Sequence, residues 1–135
     1  MAEVKPEDLH YAKTHEWVSI SEVGGAKVAT VGISAFAVEA LTDLVFIELP
    51  KVGAQVEAEQ PFCEVESVKA VSDVYAPVTG EVIEVNTALP DSLEILSTDP
   101  YIKGWIAKIR ITDESNLGNL LDFAAYEKQC AEEGH

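Results

Sequence analysis

The sequence predicts a mainly β fold: a sandwich or flattened barrel with a short internal helix and a helical C-terminus. Three observations carry this. Many short segments alternate apolar and polar residues with period two, glycine and proline punctuate them at close intervals, and the period changes to a helical one only past Asp113.

Residues 17–20 and 27–31 read as two strands flanking Glu22-Val23-Gly24-Gly25, a hairpin turn of the kind glycine permits. Gly32-Ile33-Ser34 breaks the second strand, and Ser34 is placed to cap a short helix carrying Phe36 and Leu41. Val45, Ile47 and Leu49 alternate with Phe46 and Glu48, giving a strand that ends at Pro50, with a turn at Gly53. Val56 begins a short segment leading into a hairpin. Its first arm is Cys63-Glu64-Val65-Glu66 and its second Val71-Ser72-Asp73-Val74-Tyr75-Ala76, followed by the turn Pro77-Val78-Thr79-Gly80. Residues 81–86 resume as a strand with imperfect alternation, which suggests a bulge. Residues 88–101 read as a loop punctuated by Pro90-Asp91 and Asp99-Pro100. Trp105, Ala107, Ile109 and Ile111 alternate with Ile106, Lys108 and Arg110 in the clearest strand of the chain. Leu117, Leu120 and Leu121 mark one short helix, and Asp122 caps another carrying Phe123, Tyr126 and Cys130. A faint internal echo links Gly53, Val56 and Glu57 to Gly80, Glu81 and Val82, as if two similar halves packed face to face.

With 135 residues the chain has room for one hydrophobic core, and one domain over 1–135 is expected, its core about 11–112 and its helical end about 113–131. The formal charge is −15, yet the 47% apolar fraction is that of a globular protein, so the acidity does not imply disorder. It disfavours nucleic acid and anionic membranes and suits docking onto basic protein surfaces. No apolar run approaches membrane-spanning length. Cys63 and Cys130 form no paired motif, and Cys63 falls on the apolar side of its strand, so a reducing compartment is expected.

Self-contained catalysis finds little support. There is no Gly-x-Ser-x-Gly elbow, phosphate-binding glycine loop or dinucleotide fingerprint, and His10, His15 and His135 lack metal-ligand spacing. His15-Glu16 could mimic an acid–base pair, but neighbours on a strand point to opposite faces. The informative feature is Ser67-Val68-Lys69-Ala70, between the two hairpin arms. A lysine at or beside a hairpin tip is ordinarily just solvated. It is also available for acylation, which removes its charge.

The segment Glu66-Ser67-Val68-Lys69-Ala70-Val71-Ser72-Asp73-Val74-Tyr75-Ala76-Pro77 resembles the glycine cleavage H-protein family, the lipoyl carriers of the glycine cleavage system. The resemblance extends, in the family's order, to Tyr11-Ala12-Lys13-Thr14-His15-Glu16-Trp17-Val18, Asp43-Leu44-Val45-Phe46-Ile47-Glu48-Leu49-Pro50, Asp99-Pro100-Tyr101 with Gly104-Trp105, and Asp122-Phe123-Ala124-Ala125-Tyr126-Glu127-Lys128. It implies a lipoyl-domain-like hybrid β-sandwich or flattened barrel, with lipoic acid in amide linkage on Lys69. Glu66, Ser67, Val68 and Ala70 are then recognition context for a lipoate ligase or a lipoyl or octanoyl transferase. The implied partners are a pyridoxal-phosphate glycine decarboxylase, a tetrahydrofolate aminomethyltransferase and dihydrolipoamide dehydrogenase, served by a monomeric, non-catalytic carrier. Glu16 and Asp73 are expected to hold the cationic amine of the loaded arm in a cleft; the alternative is that both are solvated surface acids. The location implied is cytoplasmic for a bacterial chain and the mitochondrial matrix for a processed eukaryotic one.

Departures from the family pattern fall at Thr42, Leu93, Ser97 and Ile102, none of them in the lysine hairpin. They leave open a divergent member that stores or relays lipoyl groups for other 2-oxoacid dehydrogenases. A biotinyl domain would place methionines where Val68 and Ala70 stand. A 2-oxoacid dehydrogenase lipoyl domain would lack the Thr14-His15-Glu16-Trp17 segment and the C-terminal helices.

Overall fold

The computed structural model describes residues 9–41, 43–68, 70–98, 101, 104–113 and 120–133. Expectations for Thr42, Lys69, Asp99-Pro100, Ile102 and Leu117 lie outside these residues, as does the side chain of Ser97.

Among the described residues, nine strands form two antiparallel sheets. The first sheet holds six: β1 (His10–Tyr11), β2 (Glu16–Val23), β3 (Ala26–Ile33), β5 (Gln55–Val56), β8 (Thr79–Val85) and β9 (Ala107–Asp113), in the order β1-β2-β3-β9-β8-β5. The second holds β4 (Leu44–Glu48), β6 (Pro61–Ser67) and β7 (Val71–Tyr75), in the order β4-β6-β7. The two sheets pack as the expected sandwich and do not close into a barrel. Val18, Ala29, Val31, Val82 and Ile109 of the larger sheet share one core cluster with Ile47, Cys63, Val65 and Val74 of the smaller.

Gly24 and Gly25 both have positive φ, 59° and 84°, and join β2 to β3 with Val23 opposite Ala26. Two left-handed residues give the turn whose twist matches that of the flanking strands. Gly32 does not end β3, as expected from sequence, but lies within it opposite Trp17. A Cβ at Gly32 would sit 2.5 Å from the indole nitrogen, so the glycine makes room for the buried Trp17 ring.

Helix α1 (Ala35–Leu41) begins as expected at Ser34, whose Oγ accepts the Ala37 N–H at 3.3 Å. The alternation expected of β4 fails at its start. The register shifts between Leu44 and Phe46, and Val45 is exposed rather than facing the core with Ile47. The bulge expected in β8 is present, with register shifts at Thr79/Gly80 and Val82/Glu84. The two echoed segments are not face to face. They pair within one sheet, Gln55 with Glu81 and Val56 with Gly80.

The expected loop at 88–101 contains a 3₁₀ turn (Leu89–Asp91) and helix α2 (Glu94–Thr98). Leu89 and Leu96 are fully buried there and Leu93 packs against the core, a 4-then-3 spacing that the proline punctuation masked. Strand β9 starts two residues later than Trp105, and Ile106 is buried rather than on the polar side, because its N–H binds the Val31 carbonyl at 2.7 Å.

Leu121 is not helical. It forms an isolated bridge with Tyr11, each donating to the other at 2.8 and 2.6 Å. Helix α3 (Phe123–Glu133) then places Tyr126 over a second cluster of Leu9, Tyr11 and Trp17, with Phe123 and Cys130 packed against it. Asp122 Oδ1 accepts the Ala125 N–H at 2.8 Å as the cap of α3. Asp122→Ala is expected to cost about 1 kcal/mol. A urea midpoint lowered by that amount checks it, and an unchanged midpoint counts against the cap.

Candidate functional site

The lysine hairpin is built from backbone and one serine. Glu66 pairs with Val71, the Ser67 N–H binds the Ala70 carbonyl at 2.8 Å, and Ser67 Oγ lies 3.2 Å from both the nitrogen and the carbonyl oxygen of Ala70. The Val68 N–H binds the Asp43 carbonyl at 3.0 Å, fixing the hairpin against the segment entering β4. Ser67 is buried and Glu66 half-buried, while Val68 and Ala70 are exposed. Lys69 falls between Ser67 and Ala70 in sequence. Val45, Phe46, Val68 and Val71 leave a set of exposed apolar side chains on the strands and turn of this hairpin region.

Glu16 and Asp73, 57 positions apart, line one cavity of about 280 Å³. Its polar lining also includes Thr14, His15 and Ser72; its apolar walls are Ile33, Phe36, Ala37, Leu41, Val65 and Val74. The topology explains the meeting. Glu16 opens β2 opposite Ile33, Asp73 lies on β7 opposite Glu64, and α1 closes one side. Asp73 is an exposed acid at this cavity, as the solvated alternative allowed. Glu16 is not: it is 2% exposed.

The Glu16 carboxyl is held by the Thr14 hydroxyl, which donates to Oε1, and by the Tyr75 N–H, which donates to Oε2 at 3.1 Å. Burial nevertheless dominates and pushes its pKa from 4.5 up to about 7, the two hydrogen bonds opposing the rise. The acid is therefore close to half-ionised at neutral pH, and an adjacent cation would shift it to carboxylate. The sign for stability follows. A carboxyl whose pKa is raised by folding supports the fold most below its unfolded value, and that support is lost as pH rises from about 4.5 through about 7. The span corresponds to roughly 3 kcal/mol. Glu16→Gln is expected to flatten this decline, so that the urea midpoint falls less between about pH 5 and about pH 8 than in the parent. An equal fall in both would contradict it.

His15 and Glu16 line the same cavity, against the expectation that strand neighbours diverge. His15 precedes β2 and has φ 79°, which takes it out of the alternation. Its ring stacks on Phe36 with centroids 4.9 Å apart. Sequence reasoning also left Thr14 and Phe36 without a site role. Thr14 stood in the Thr14-His15-Glu16-Trp17 segment, which was the available signal; Phe36 read only as an apolar helix residue.

On the smaller sheet, Glu48, Glu64 and Asp73 oppose one another across three strands and line a groove of about 640 Å³. Like charges directly opposite cost stability in isolation and favour a basic visitor. Cys63 also lines this groove, and burial pushes its thiol up to about 12, leaving it unreactive. No described helix is long and apolar enough to cross a membrane, and among the described residues no group of three or more His, Cys, Asp or Glu could hold a metal ion.

The sandwich thus holds a serine-closed hairpin between Ser67 and Ala70 and an acid-lined cleft that shares its strands. The family model for the glycine cleavage H-protein matches residues 9–133. The glycine cleavage system H protein of Rhodopirellula baltica is 55% identical over 129 residues, covering 96% of this chain and 97% of that one. The Escherichia coli protein of the same name is 51% identical over 128 residues, covering 95% and 97%. The crystal structure of a glycine cleavage system H protein from Mycobacterium marinum superimposes with a TM-score of 0.85 at 42% identity, covering 94% of this chain and 99% of that one. The chain belongs to the glycine cleavage H-protein family, and the role that goes with it is that of lipoyl-carrying shuttle in the glycine cleavage system.

Proposed function

We propose that Lys69 is the lipoyl attachment point, and that the cleft between Glu16 and Asp73 receives the amine end of the loaded arm. The observation that carries the reading is the buried, doubly hydrogen-bonded Glu16 lining a cleft with apolar walls that also holds Asp73. Those residues fit the group: Ile33, Phe36, Leu41 and Val65 suit a hydrocarbon chain, and the two acids suit a cation at its end. The lipoyl group, when bound, supplies a reducible disulfide on a long tether.

The chain's own residues do the rest. Ser67 and Ala70 restrain the base of the arm, and amide formation on Lys69 removes a charge that would oppose entry into an apolar cleft. Thr14 and Tyr75 aim the Glu16 carboxylate at the incoming amine. Glu66, Ser67, Val68 and Ala70 present the hairpin to the lipoyl-attaching ligase or transferase, Ser67 through hairpin shape and Val68 by exposure. Exposed Val68, Val71 and Phe46, with the row Glu48, Glu64 and Asp73 behind them, suit transient docking to partners with a basic rim. Those partners are the pyridoxal-phosphate glycine decarboxylase, the tetrahydrofolate aminomethyltransferase and dihydrolipoamide dehydrogenase. We read the chain as one monomeric, non-catalytic carrier domain. Its bacterial relatives favour the cytoplasm.

Loading Glu16→Gln with glycine and the decarboxylase, then following ammonia release without folate, tests the cleft. Release about tenfold faster than from the parent is expected, the scale of losing one charge-assisted hydrogen bond. An unchanged rate would remove Glu16 from this role.

A further inference from the structure

Helix α3 does not line the cleft, yet one of its side chains joins two of the cleft's walls. The Tyr126 hydroxyl lies 2.8 Å from His15 Nδ1 and 2.5 Å from Ser34 Oγ. His15 stands in the segment that supplies Thr14, His15 and Glu16 to the cleft. Ser34 caps α1, which supplies Phe36, Ala37 and Leu41. The same two residues are joined again through the backbone, where the Ser34 N–H binds the His15 carbonyl at 2.9 Å.

One run of donors is consistent with these contacts. The Ala37 N–H donates to Ser34 Oγ, the Ser34 O–H to Tyr126, and the Tyr126 O–H to an unprotonated His15 Nδ1. His15 needs such an anchor because its backbone sits at φ 79°, a conformation that costs a non-glycine residue free energy. Tyr126 is itself well packed: it is 4% exposed, and its ring stacks on Tyr11 at 4.2 Å with the planes 3° apart.

We propose that Tyr126 is a positioning residue of the arm cleft, its hydroxyl holding the Thr14-His15-Glu16 wall and helix α1 at a fixed separation. The C-terminal helix thereby sets how tightly the cleft closes on the arm. The inference rests on the cleft reading above.

Tyr126→Phe keeps the stacked ring and removes only the oxygen. Two measurements decide the matter. In the protein without a lipoyl group, the ¹⁵N resonance of His15 Nδ1 is expected to move in Tyr126→Phe as the bond to the Tyr126 hydroxyl is lost. A resonance unmoved by the substitution overturns the proposal. In the loaded protein without folate, ammonia release from Tyr126→Phe is expected to rise about fivefold, the scale of one net hydrogen bond. Ile109→Val, a core change on β9 away from the cleft, is expected to release at the parent rate. Equal release from Tyr126→Phe and Ile109→Val overturns the role of Tyr126. Release from the parent as fast as from urea-unfolded loaded chain overturns the cleft reading, and this inference with it.

Discussion

Lys69→Arg is expected to abolish both lipoyl content and support of the glycine–bicarbonate exchange catalysed by the decarboxylase. Arginine keeps the positive charge, but its guanidinium stays protonated at any working pH and offers no free amine for amide formation. The bonds that close the hairpin run between Ser67 and Ala70 and from the Val68 N–H to the Asp43 carbonyl, and should survive the change. Loss of function without loss of fold is therefore the expected pattern: circular dichroism and the urea midpoint unchanged, exchange at background. Exchange at a substantial fraction of the parent rate would mean that the carrier chemistry runs through another group.

Gly80→Ala is expected to produce the largest loss of stability of any substitution considered. Gly80 is buried in β8, opposite Ile111 on β9 and Val56 on β5. A Cβ there would overlap the Arg110 carbonyl oxygen and lie 2.8 Å from its carbon and 2.9 Å from Ile109 Cγ2. The obstacle is the backbone of a central strand, which cannot swing aside as a side chain does. The neighbouring register shift at Thr79/Gly80 shows that β8 already bends here to admit the close approach. Overpacking of this kind costs about 3 kcal/mol or more when backbone must move. Urea denaturation checks it; a loss below about 1 kcal/mol would mean that the strands part more easily than their packing implies.

Much of the sandwich was legible because its signals are local. The glycine pair 24–25, the alternation from Cys63 to Glu66 and the caps Ser34 and Asp122 each act within a few residues, and each appears where the pattern puts it. What sequence missed depends on partners far along the chain. Gly32 looked like a strand breaker because its reason, the Trp17 ring, sits across a strand pair. Leu121 looked helical because its bridge partner is Tyr11, at the other end of the fold. Residues 88–101 looked like a loop because their helices are short, and Leu89 and Leu96 are fixed by burial rather than by propensity.

The candidate site divides the same way. The lysine hairpin is contiguous, so its residues could be named from sequence. The cleft is assembled from β2, β3, α1, β6 and β7, and only the motif around Glu16 and the acid after the hairpin pointed to it. That Glu16 is buried and held near neutrality, or that Tyr126 reaches His15 and Ser34, follows from packing that no local pattern encodes.

The attachment itself is tested most directly by peptide mass spectrometry of the parent protein produced in a lipoylating host. One lipoyl group is predicted on the peptide bearing Lys69, with every other lysine unmodified. A bare Lys69 peptide, or a lipoyl group on a different lysine, would contradict the account.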